Sequence, residues 1–140
     1  MTGTQVSEFD HTGDRGIEVT APTLARLFEA AADGMFGLLF EGELAEGPTQ
    51  LDVRVTGSDL PDLMVKWLDE LNFVHLTEGV APSDFRVSHI DEREVRAVVS
   101  AHPLGPGRPA ILTEIKAVTY HDLVVEPRNG GWFARIIFDI

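Results

Sequence analysis

Two stretches of the chain repeat apolar residues at intervals of three and four. In TLARLFEAAADGMFGLLF, residues 23–40, Leu24, Leu27, Phe28, Ala31, Met35 and Leu39 fall on one face of a helix. Thr23, just after Pro22, stands where a side-chain oxygen caps the first turn. In SDLPDLMVKWLDELNFVH, residues 58–75, a second stripe runs through Leu60, Leu63, Met64, Trp67, Leu68, Leu71 and Val74. Ser58 or Asp59 caps it, and Pro61 sits in the first turn, where a missing N–H does no harm. Elsewhere the period falls to two or β-branched residues gather: 15–20, 50–57, 84–90, 93–101, 121–127 and 132–140 read as strands. Alternation in Leu51, Val53, Val55 and in Val95, Ala97, Val99 implies one packed face and one wet face. IDERE and PRNGGW read as hairpin turns, Asn129 and Gly130 supplying the positive φ a tight turn requires. The pattern predicts one α+β domain over residues 1–140: two helices packed as a layer on a mostly antiparallel, mixed β-sheet. Residues 102–120, HPLGPGRPAILTEIKAVTY, fit neither period, and long irregular connections in small domains tend to carry function.

Charge narrows the classes of partner. The formal net charge is −12, with 11 Lys and Arg scattered among 23 Asp and Glu, so no basic stripe is available for a phosphate backbone. Cations or a basic protein surface suit it better. With no cysteine, disulfides, thiolate metal sites and cysteine nucleophiles are excluded. The start MTGTQVSEFDH lacks the form of a signal peptide, and no apolar run reaches the ~20 residues of a membrane span. The expectation is a cytoplasmic protein without a membrane partner.

Three polar constellations stand out. FDHTGDRG places Asp10, His11, Thr12 and Asp14 around Gly13 and Gly16, whose freedom lets a loop bend its oxygens toward one point. Asx turns use the same residues. TEIKAVTYHD gathers Glu114, Lys116, Tyr120, His121 and Asp122 after the irregular stretch. Lys116 and His121 suit acid–base roles, while a solvated lysine beside a glutamate explains the same letters. The third constellation is the end, IIFDI. Asp139 and the α-carboxylate of Ile140 are both charged at neutral pH. Fixed in a strand, they need a cation or donors nearby, and oxygen-only ligands suit Ca²⁺ or Mg²⁺. A solvated, unpaired end is the alternative.

HTGDRGI, LLFEGE, WLDELNFVH, TEIKAVTYHDLVVE and GWFARIIFDI occur in an order and spacing that resemble the archease family, from about Phe9 to Ile140. The resemblance implies a small α+β protein, not itself an enzyme, that assists the RtcB-type RNA ligase, speeding its GTP-dependent guanylylation and allowing multiple turnover. That ligase serves tRNA splicing in archaea and animals, and RNA repair is implied for bacterial relatives. GTP and RNA would be met only through the ligase. The resemblance also implies a divalent cation, typically calcium with Mg²⁺ or Mn²⁺ as alternatives, held by Asp14, Asp139 and Ile140. Lys116 matches the family's lysine, with Asp10, His11 and His121 as further candidates for ligase activation. On this reading a residue added after Ile140 would displace a ligating carboxylate.

Two letters depart from the family pattern. Arg15 puts a cation beside the implied ligand Asp14, and Leu112 replaces a glycine. Two rival readings are a metal-dependent hydrolase, for which no third acid or phosphate-binding glycine loop is visible, and a chaperone-like interaction module presenting an exposed helix stripe.

Overall fold

The computed structural model describes residues 3–11, 13–106 and 109–140, His11 by its backbone alone. In chain order the elements are β1 (Gln5–His11), β2 (Asp14–Ala21), α1 (Leu24–Leu39), β3 (Phe40–Glu41), β4 (Thr49–Thr56), α2 (Leu60–Glu78), β5 (Val80–Ile90), β6 (Glu94–Pro103), β7 (Ala110–Ile111), β8 (Ala117–Val118), β9 (Val124–Arg128) and β10 (Gly131–Asp139). All the pairings are antiparallel, in an α+β architecture as expected. They make two main sheets. One has the order β1-β2-β10, with β8 and β9 both pairing β10; the other is β4-β6-β5; β3 and β7 form a two-stranded pair.

Both helices begin where their capping letters indicate. Thr23 accepts the Arg26 N–H, and Asp59 accepts the Asp62 N–H with Pro61 in the first turn. α2 ends on Gly79, whose φ of 65° is the left-handed closure glycine allows. The single apolar stripe expected of α1 is too narrow a description. Ala30, Ala32, Phe36 and Leu38 are buried as well, because α1 packs against β1, β2 and β10 on one side and β5 on the other. α2 likewise touches β4, β5 and β6 as well as β8 and β9. The helices therefore join two sheets into one core instead of lying on a single layer. At its centre Trp67 is fully buried and donates its Nε1–H to the Phe28 carbonyl at 3.0 Å.

Side-chain alternation assigns the two faces of the β1-β2-β10 sheet. Ile17, Val19 and Ala21 pack into the helical core with Ala134, Ile136 and Phe138. The outer face carries Gly16, Glu18 and Thr20 opposite Ile137, Arg135 and Phe133. There Phe9 lies over Gly16, so a Cβ at that glycine would fall 2.3 Å from the ring. Gly16 thus makes room for an aromatic ring within a regular strand, and the bend expected of it belongs to Gly13, with φ of 75°.

Candidate functional site

The site is assembled at one end of β10. β2 and β10 are paired as far as Phe138↔Arg15, and Asp139 and Asp14 are the next residue on each strand. Alternation puts Asp14 on the face of Gly16 and Asp139 on the face of Ile137, so both carboxylates belong to the outer face at this end of the sheet. Neither makes an ion pair or hydrogen bond with any described residue through its side chain. The end of β10 is pinned on its other side by the KAVT letters. Lys116 donates its N–H to the Asp139 carbonyl at 2.8 Å, and Thr119 gives both its N–H and its hydroxyl to the Ile137 carbonyl, at 3.0 and 2.9 Å. Ile140 itself packs, partly buried, against the core.

The arginine that departs from the family pattern points away. Arg15 follows Asp14 by one residue and so turns to the opposite face, where its guanidinium meets Glu8 at 3.1 Å and Asp10 at 4.0 Å. Exposed pairs of this kind are worth about 0–1 kcal/mol, so their main effect is on where the charge sits: it is kept off the face of Asp14 and Asp139. Asp10 is thereby placed with Arg15 and apart from those two carboxylates, its side chain 96 % exposed. His11 pairs with Asp14 in the strand register; its side chain, and Thr12, lie outside the described residues. His121 lies in the turn after β8, its Nε2 3.4 Å from Asp122. Among the described residues no three His, Cys, Asp or Glu side chains form a metal-binding group. Among the described residues this end of the sheet offers two such side chains, Asp14 and Asp139, with the α-carboxylate of Ile140 next along the chain.

A family model for the archease protein family matches residues 7–140. The chain belongs to the archease family. A Methanopyrus kandleri archease is 35 % identical over 136 residues, covering 95 % of this chain and 97 % of that one. A Pyrococcus furiosus archease is 32 % identical, covering 97 % and 99 %. Among solved structures, protein 1598 of Methanobacterium thermoautotrophicum superposes with a TM-score of 0.79 at 29 % identity, over 96 % of this chain and 98 % of its own. A Thermotoga maritima protein described as an archease and possible chaperone shares the fold, with a TM-score of 0.65 at 19 % identity and 94 % coverage of both chains. None of these names is that of an enzyme.

In this archease the backbone around Lys116 is clamped by α2. Asp69 accepts the Val118 N–H at 3.2 Å and Asn72 donates to the Ile115 carbonyl at 2.9 Å, one bond on each side of Lys116. The Lys116 side chain is exposed and lines a groove over α2 with Asp69, Asn72 and Phe73. Its backbone thus adjoins the tail, while the residue also lines the groove. Burial raises the Asp69 carboxyl above its ordinary pKa, opposed by the Val118 hydrogen bond. The role of Asp69 and Asn72 was not read from the sequence. The available signal was Asn72, a polar letter next to Leu71 in the middle of the apolar stripe and 95 % buried in the fold. Leu112, in the glycine position, has an exposed side chain and an ordinary negative φ, and it donates its N–H to the Leu39 carbonyl at 2.7 Å. No left-handed backbone is required there.

Proposed function

We propose that this archease activates an RtcB-type RNA ligase in the cytoplasm, promoting GTP-dependent guanylylation and repeated turnover, with a divalent cation held at the end of β10. The observation that supports this reading is the β2–β10 pairing, which runs to Phe138↔Arg15 and leaves Asp139 and Asp14 as the next residue on each strand. Two unpaired carboxylates on one face, with the α-carboxylate of Ile140 next along the chain, form an all-oxygen donor set that fits a hard cation such as Ca²⁺, Mg²⁺ or Mn²⁺. When bound, the ion would offset most of the negative charge of these three carboxylates. The chain's own groups do the rest. Arg15 stays paired on the other face, the Lys116 and Thr119 N–H groups tie the tail to the sheet, and the exposed Lys116 side chain would meet the ligase. The acidic body suits docking at the mouth of a protein built to hold RNA.

Two measurements test this. In calorimetric titration with Ca²⁺, Asp14→Asn and Asp139→Asn should each weaken binding by about tenfold or more, since even groups behind metal ligands are worth about 10–100-fold. The same variants, folded as judged by circular dichroism, should lose their stimulation of ligase guanylylation. Normal stimulation by either variant would rule out the cation route. It would favour a chaperone-like module, for which the exposed Phe73 and Leu76 are the relevant surface. Phosphoester hydrolysis by the isolated protein would favour a metal-dependent hydrolase.

A further inference from the structure

Between α2 and the last residues of β4, Arg54 to Thr56, lies an open groove of about 570 Å³. Four independent features converge on it. First, β4 is an edge strand: its eight residues pair with β6 alone, so alternate backbone N–H and C=O groups along its outer side are left unbonded by the sheet. Second, α2 presents Phe73 and Leu76 on the rim, 59 % and 48 % exposed, large apolar side chains at a spacing that keeps them on one helical face. Third, the sequence has only two lysines, and both Lys66 and Lys116 line the groove, joined by Arg54. Lys66 is 3.1 Å from Asp62 and Arg54 is bonded to Glu94, whereas Lys116 makes no ion pair with any described residue. Fourth, Asn72 in the groove wall is 95 % buried, and its Oδ1 has no hydrogen-bond donor. A buried acceptor in that state is costly until a donor reaches it.

We infer that this groove takes an extended, acidic segment of a protein partner, which adds as a strand to β4, rests alternate apolar side chains on Phe73 and Leu76, and directs carboxylates to Lys116 and Lys66. An extended occupant follows from the free strand edge, because main-chain hydrogen bonds are available along its length. Acidic character follows from charge. On a body of net charge −12, Lys116 is a cation with no ion pair to any described residue, while the groove's Arg54 and Lys66 are shared with Glu94 and Asp62. The apolar rim supplies contact area that a free nucleotide or phosphate would not need. None of Asp14, Asp139 and Ile140 lines the groove, so the inference requires a protein partner and does not depend on the cation.

The probe is a fluorescein-labelled octapeptide alternating valine and glutamate, with a valine–lysine peptide and an N-methylated copy as controls, all in excess EDTA. Fluorescence anisotropy should show the acidic peptide binding, with the lysine peptide and the N-methylated copy each weakened by tenfold or more. Phe73→Ser and Lys116→Ala, both at exposed positions, should each weaken it severalfold. In ¹⁵N NMR spectra the shifted amides should cluster in residues 50–56 and 66–76. Equal binding of the lysine peptide, undiminished binding of the N-methylated copy, or shifts confined to residues 13–16 and 137–140 would overturn the proposal. So would tighter binding of ADP than of the peptide at the same amides. Because chelator is present throughout, failure of the cation reading leaves these outcomes unchanged.

Discussion

Tyr120 shows how closely single residues of the KAVTYHD block are tied to α2. Its hydroxyl donates to Asp62 Oδ1 at 2.7 Å, and Asp62 Oδ2 also accepts the Ser58 N–H at 2.8 Å. The Ser58 bond, then the Tyr120 bond, holds the Asp62 carboxyl well below the usual carboxylate range. In turn that bond to Asp62, reinforced by partial desolvation, pushes the phenol up to about 12 from an ordinary 10.0. A phenol raised in the folded state contributes stability that is complete below its unfolded pKa and lost as pH rises toward 12. Because the chain has one tyrosine, absorbance at the phenolate band reads this group alone. Spectrophotometric titration should give a midpoint well above 10, falling back toward 10 in Asp62→Asn. A midpoint near 10 in the unaltered protein would mean the hydrogen bond is not kept in solution.

At the scale of elements, α2 is the part on which the site is hung, and its closure can be tested separately from its contents. A Cβ at Gly79 would meet no atom within 4 Å, yet its φ of 65° lies in the left-handed region. Gly79→Ala should therefore cost about 1 kcal/mol from backbone strain alone, measured as a lowered urea midpoint with an unchanged slope. A much larger loss would point to packing that the glycine does not show. Both helices, their caps and six strands were legible because each carries a clean period or a named turn. β1 was not legible: Gln5, Ser7 and Glu8 are exposed along an edge strand, so half of its expected apolar signal is absent. β8 escaped for another reason. Two residues carry no periodicity, and Ala117–Val118 become a strand only because β10 is beside them. For the same reason the letters could name Asp14 and Asp139 as candidates without giving the register, Phe138↔Arg15, that brings their two strands together. Nor does a spacing in the sequence show that Arg15 turns to the other face.

Across the whole molecule, charge separates two modes of association by the sign of their salt dependence. The formal −12 attracts a basic partner surface over a range set by screening, about 30 Å at 0.01 M salt and about 3 Å at 1 M. Docking of the acidic body to the mouth of an RNA ligase should thus slow as salt rises, by about tenfold or more in association rate across that range. An acidic segment entering the groove meets the same long-range field with the opposite sign. Its attraction to Lys116 and Lys66 acts over a few ångströms, whereas repulsion from the rest of the surface acts from farther out. Moderate salt should screen the repulsion first, so its association rate should rise from low salt before levelling off. Stopped-flow measurements at a series of salt concentrations distinguish the cases. A ligase association rate that does not fall with salt would remove electrostatic steering from the activation model. An acidic-peptide rate that falls steadily from the lowest salt would mean that the local cations outweigh the net charge at long range.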